Sequence, residues 1–133
     1  MQLRILVADD LKDNADSLAA LLREHEYEVH TVYSGGEAVV AAAAIRPDVA
    51  LLDIAMPGLD GYEVCRCIRA QKWGRRMMIV AQTAWGRDID LDQAMSAGFD
   101  MHMQKPVNTQ ALLAHLGRMR HSRSTDERRH DTG

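Results

Sequence analysis

Five side chains with chemistry in them stand where an apolar run of this chain gives way to polar residues. LRILVA is followed by Asp9 and Asp10, and DVALLD ends in Asp53. MMIVAQT ends in Thr83, with Ala84 behind it, and FDMHMQ runs into Lys105 and Pro106. Brought to one place, three carboxylates would repel one another and hold on to their protons unless a cation lay between them. Mg2+ suits such a set, since it takes oxygen ligands, uses one or two carboxylates and keeps several waters. A hydroxyl and an ammonium beside it would add donors for an anion. Capping of the next helix accounts for any one of these acids equally well; the adjacent pair Asp9-Asp10 is what that account handles poorly.

Other chemistries lack their motifs. The turn after the first apolar run reads ADDLKDN, with no G-x-G-x-x-G through which a pyrophosphate could approach the backbone. G-x-x-x-x-G-K-[ST] and the nucleophile elbow G-x-S-x-G are also absent. Cys65 and Cys67 are two residues apart on what reads as a helix, so they cannot close a disulfide on each other, and a lone C-x-C is poor evidence for zinc.

The elements that must position these groups follow from hydrophobic period. Residues 3 to 8 form an almost unbroken apolar strand, the mark of a strand covered on both faces. Ala15, Leu18, Leu21, Leu22 and His25 recur at three- and four-residue intervals, which predicts a helix over about 13 to 25. Residues 27 to 33 alternate as a strand does. Ser34 and Glu37 have capping-box spacing for an alanine-rich helix that Pro47 stops. Strand 48 to 53 is followed by a Pro-Gly turn and a helix bearing Tyr62, Val64, Cys65 and Ile68. Strand 77 to 83, a helix from about 87 to 97 ended by Gly98, strand 99 to 104 and a last helix capped by Asn108 with Leu112, Leu113 and Leu116 complete the series. Strand-helix alternation with short links implies one α/β domain, a parallel sheet with helices on both faces. In such a sheet, functional groups gather beyond the carboxyl ends of the strands, which is where the five side chains fall.

Bulk properties agree. A chain of 133 residues can bury a core of its own. No apolar run approaches the roughly 20 residues of a membrane helix, and no secretory leader is recognisable, so a cytoplasmic protein without membrane contact is expected. Residues 1 to 117 hold 11 Lys+Arg against 16 Asp+Glu. An acidic body argues against direct nucleic-acid binding.

With these residues and their order in place, the chain resembles the receiver domain of two-component response regulators, the group typified by the bacterial chemotaxis regulator. ILVADD, LLDIAMPGLDG, the VAQTA strand end and GFDMHMQKPV carry the resemblance over about residues 3 to 118. It implies a flavodoxin-like, doubly wound sheet of five parallel strands in the order 2-1-3-4-5. A receiver over 1 to 119 and a disordered polar tail over 120 to 133 are expected. By position, Asp53 is similar to the family's phosphoacceptor, which takes its phosphoryl group from a sensor histidine kinase or a histidine phosphotransfer protein. The resemblance implies that Asp10 holds Mg2+ directly and Asp9 mainly through water, with Asp53 and the Ala55 backbone carbonyl as further ligands. Thr83, Ala84 and Lys105 would receive the phosphoryl oxygens. Pro57 and Gly58 would turn the Ala55 carbonyl toward the metal, and Pro106 would follow a cis peptide.

Two departures from the pattern bear on function. His102 stands where the family usually has the Tyr or Phe that turns inward on activation, and a titratable ring there would make switching sensitive to pH. Ala55 and Trp85 occupy the positions bordering the phosphoryl group, and neither can orient a water, so a long-lived phosphorylated state is expected. TAWG followed by GFDMHMQKPV also resembles receivers attached to hybrid kinases, which implies either a stand-alone receiver or a piece of such a kinase. The expected function is a phosphorylation-controlled binding switch and not an enzyme. Its output passes to an unknown partner protein or to a homodimer through the fourth helix, fifth strand and fifth helix. The rivals are a phosphorylation-independent scaffold and a small Mg2+-dependent phosphatase; the latter is disfavoured because Ala55 stands where a second acid would serve the leaving group.

Overall fold

The computed structural model describes the backbone over residues 2–84 and 89–132, and side chains as far as His121. Five strands, β1 (Arg4–Ala8), β2 (Glu28–Val32), β3 (Val49–Asp53), β4 (Met78–Thr83) and β5 (Met101–Gln104), alternate with helices α1 (Lys12–Glu24), α2 (Gly35–Ile45), α3 (Gly61–Arg69), α4 (Leu91–Ala97) and α5 (Thr109–Thr132). A 3-10 turn over Lys72–Gly74 precedes β4. All neighbouring strands pair in parallel, in the order β2-β1-β3-β4-β5. This is the expected sheet.

Two cores cover it. Ile5, Val7, Val49, Leu51 and Val80 point to the side packed by Ala15, Ala19 and Leu22 of α1 and Leu112 and Leu116 of α5. Leu6, Ala8, Ala50, Leu52 and Ile79 point to the side packed by α2, α3 and α4. Alternate residues of each strand thus enter different cores, which is why β1 and β3 read as unbroken apolar runs. β3 is buried throughout, so Asp53 leaves it only at its last position.

Differences from the sequence reading are local. The Ser34 hydroxyl accepts from the Glu37 N–H, but the Glu37 carboxylate accepts from the N–H of Tyr33, one residue before a capping box would place it. His25 is exposed at the end of α1, and Ala19 supplies the buried contact in its place. Asp90 caps α4 by accepting from the Gln93 N–H at 3.0 Å, so that helix starts at Leu91; part of the earlier start falls outside the described residues. α5 continues to Thr132, where a structureless tail from 120 is the expectation. No proline or glycine interrupts the chain between Arg118 and Thr132, and Arg120 anchors the extension. Its guanidinium lies 4.0 Å from the Tyr27 ring centroid and donates to the His25 carbonyl at 3.0 Å.

One glycine governs how β3 meets α3. A Cβ on Gly61 would lie 2.6 Å from the Asp53 carbonyl oxygen and 2.7 Å from the Ile54 Cα, and the Gly61 N–H donates to the Ile54 carbonyl at 2.9 Å. The backbone just after Asp53 therefore packs directly on the start of α3. Gly61→Ala is expected to lower stability by roughly 1–3 kcal/mol, the usual cost of overpacking. The urea midpoint of the variant checks this; an unchanged midpoint contradicts it.

Candidate functional site

The parallel register brings the carboxyl ends of β1, β3, β4 and β5 to one rim. Asp9 and Asp53 are buried there, 1% and 4% exposed, whereas Asp10 is exposed. The carboxylates of Asp9, Asp10 and Asp53 offer oxygens within 4.8 Å of one another. Lys105, just past β5, enters the same space: its Nζ lies 2.8 Å from Asp9 Oδ2 and 2.9 Å from Asp53 Oδ2. The two remaining oxygens are held by backbone, Asp9 Oδ1 accepting from the Leu11 N–H at 2.9 Å and Asp53 Oδ1 from the Ala55 N–H at 3.0 Å. Each buried carboxylate is thus gripped at both ends.

The flanking chain explains this aim. Gly58 adopts φ 77°, a left-handed conformation that an L side chain resists, so the loop after Pro57 turns back toward α3. The Lys105–Pro106 peptide is cis, and the Lys105 N–H donates to the Thr83 carbonyl at 2.7 Å. Ala55, Ala84, Lys105 and Pro106 line, with the acids, a cleft of about 670 Å³ that continues along α1 past Leu18 and Leu21.

Two expected site residues have surroundings of their own. Thr83 is buried and its hydroxyl donates to the Met103 carbonyl at 3.5 Å. His102 is exposed, on the face of β5 opposite to Met101 and Met103, which pack on the α1 and α5 core. Trp85 lies outside the described residues. Sequence reasoning missed Gln82, which is buried beside Asp53 and lines the cleft. The available signal was a carboxamide inside the otherwise apolar run MMIVAQT.

Electrostatics at the rim are strained in the direction the composition suggests. Burial pushes the Asp9 carboxyl above its ordinary value, outweighing the Lys105 hydrogen bond that pulls it down. Asp10 is raised as well, by desolvation first and then by its contact with Asp53. Burial alone would lower Lys105, but its hydrogen bonds to Asp9 and Asp53 prevail and hold the ammonium above its ordinary value. Among the described residues, the Lys105 ammonium is the positive charge that meets these acids. A cluster of carboxylate oxygens with no sulfur or imidazole fits a hard divalent cation.

With this geometry in view, comparison with known proteins is direct. The family model for the response regulator receiver domain matches residues 5–117, and the chain belongs to that family. It is 37% identical to the response regulator PleD of Caulobacter vibrioides over 116 residues, which cover 87% of this chain and 26% of that protein. The chain therefore spans about a quarter of the length of that curated relative. Among solved structures, the receiver domain of the sensor histidine kinase PA1611 from Pseudomonas aeruginosa PAO1 is 36% identical, with TM-score 0.79, covering 89% of this chain and 97% of that one. That structure has a magnesium ion coordinated in its active-site cleft. The chemotaxis response regulator CheY4 of Vibrio cholerae is 27% identical, with TM-score 0.81, covering 89% and 98%. The chain is thus a receiver domain of two-component response regulators.

The raised carboxyl values fix the sign of two expectations. Asp9 and Asp10 ionise more readily in the unfolded chain, so their contribution to stability is fullest below the ordinary 3.8 and is lost as pH rises through their raised values. Asp10→Asn should therefore raise the melting temperature at pH 7 in metal-free buffer, and the gain should vanish below 3.8, where the acid is protonated anyway. Differential scanning calorimetry at the two pH values checks this; equal melting temperatures at pH 7 contradict it. Lys105 has the alkaline counterpart, its contribution being complete below 10.5 and lost as pH rises through its higher folded value.

Proposed function

We propose that this receiver accepts a phosphoryl group on Asp53 from a phosphohistidine of a sensor histidine kinase or histidine phosphotransfer protein, with Mg2+, and changes its partner binding in response. One observation supports it most: the Asp53 carboxylate meets the Lys105 ammonium at 2.9 Å and offers an oxygen within 4.8 Å of those of Asp9 and Asp10. An ionised carboxylate needs no base to act as nucleophile. A carboxylate oxygen of Asp53 attacks phosphorus, the P–N bond breaks, and the departing imidazole keeps its electron pair and takes a proton. The Ala55 N–H orients the carboxylate, and Lys105 supplies positive charge to the transferring oxygens.

The cation would be held by Asp10, by Asp9 mainly through water, by Asp53 and by the Ala55 carbonyl, and it would supply charge neutralisation for the phosphoryl oxygens. In this reading Lys105 turns from Asp9 and from Asp53 Oδ2 to the new phosphoryl group. Thr83 gives up the long hydrogen bond to Met103 for a phosphoryl oxygen, with the Ala84 N–H beside it. That rearrangement would shift β4, α4 and β5, where His102, Leu91 and Met95 are exposed for an output protein or a second copy through α4, β5 and α5. Leu18 and Leu21 give the donor protein an apolar wall beside Asp53. In this reading residues 1–119 make up the receiver and the polar segment 120–133, expected as a disordered tail, extends α5 beyond it, and the protein acts in the cytoplasm as a signalling element rather than an enzyme. Among the described residues no helix is long and apolar enough to cross a membrane.

Incubation of the full chain with acetyl phosphate and Mg2+, followed by intact mass, should add one phosphoryl group, and Asp53→Asn should abolish it. Labelling that persists in the variant would contradict the assignment. Because Ala55 offers no side chain to orient a water, the label should survive for minutes or longer; loss within seconds in Mg2+ would count against that expectation.

A further inference from the structure

Gln82 is a polar side chain in a place that calls for an apolar one. It is 3% exposed, inside β4, and its Nε2 has no hydrogen-bond partner among the described residues. A buried donor left unpaired carries its full desolvation penalty. Rotating the terminal amide does not remove the difficulty, because the carbonyl oxygen would then be buried at the same point. Isolated orphans of this kind call for a physical reason.

Its position supplies one. Gln82 is the register partner of Asp53 across the β3–β4 ladder, and the two side chains leave the same face of the sheet. On the other side its register partner is Met103, two residues before Lys105. Gln82 lines the cleft together with Asp9, Asp53 and Lys105, yet the ammonium meets both acids in the described arrangement. The carboxamide therefore lies next to the one acid whose hydrogen bonding must change when it is modified, and its donor is in reserve.

Building on the phosphoacceptor reading, we infer that Gln82 is a phosphoryl-site residue: once Asp53 carries the phosphoryl group and Lys105 has turned to it, the Gln82 amide donates to the acyl-phosphate oxygen that the ammonium has left. The bond forms only in the modified state. No proton changes owner and no covalent bond is altered, so Gln82 holds the acyl phosphate rather than reacting with it. The resting protein then carries an unpaired donor, and the modified one satisfies it, which biases the two-state equilibrium toward modification.

Gln82→Met keeps length and flexibility and removes the amide. Thermal melts of the metal-free full chain, together with titration of beryllofluoride in Mg2+ as a phosphoryl mimic, separate the possibilities. The variant should melt a few degrees higher than wild type, since a buried unsatisfied group is gone. It should bind beryllofluoride roughly tenfold more weakly, the loss of one hydrogen bond to a charged ligand. A residue serving only the packing of β4 would leave that affinity unmoved. Unchanged affinity, or a lower melting temperature in the variant, overturns the assignment. If wild type itself fails to bind beryllofluoride, the phosphoacceptor reading falls and this inference with it; if wild type binds and Gln82→Met binds equally, only the inference falls.

Discussion

A single ammonium stands between two buried carboxylates, with a third acid at the rim, and the rest of the molecule is arranged to make that tolerable. Buried charge is costly unless every lobe is paired, and removing one member of such a set strands the others. Here the pairing is close to complete: Lys105 covers one oxygen each of Asp9 and Asp53, and two backbone N–H groups cover the other two. The negative charge that remains in excess is what a divalent cation would neutralise. A site balanced perfectly at rest would have no reason to respond.

Holding such a set requires a base that does not move. β3 supplies it, buried along its whole length between two apolar cores, with β1 and β4 in parallel register on either side. Behind the site, Arg69 ties the end of α3 to the neighbouring loops, donating to the carbonyls of Gly74, Met77 and Gly98 and to Asp100 at 2.8 Å. By contrast, the β5 side chains of His102 and Gln104 are exposed, and α4 presents Leu91 and Met95, 54% and 75% exposed. The more buried half carries the acids, and the exposed side chains of β5 and α4 are the ones that the proposed switch would use.

Much of this was legible in the sequence because parallel strands covered on both sides must be apolar throughout, so their polar ends stand out. Asp9, Asp10, Asp53 and Lys105 were found by that contrast, and the structure gathers them. What local pattern does not encode is which partner a polar side chain at a strand end finds. Thr83 shares the strand end, yet its hydroxyl meets the Met103 carbonyl. Gln82 was passed over because period alone reads it as strand, and only three-dimensional register sets it against Asp53. The helix boundaries differ for two reasons: Asp90 caps the start of α4, and the stacking of Arg120 on Tyr27 holds α5 beyond the point where apolar residues end. The comparison with known receivers adds the family and leaves the phosphoryl donor and the output partner to chemistry.

In the proposed function the ammonium of residue 105 and a divalent cation compete for the same carboxylates. Calorimetric titration of Mg2+ into the full chain and into Lys105→Met tests it most directly, because removing a competing positive charge must strengthen cation binding if the two meet the same oxygens. Tighter Mg2+ binding by the variant is the predicted result; equal or weaker binding, or no binding to either, would contradict the account.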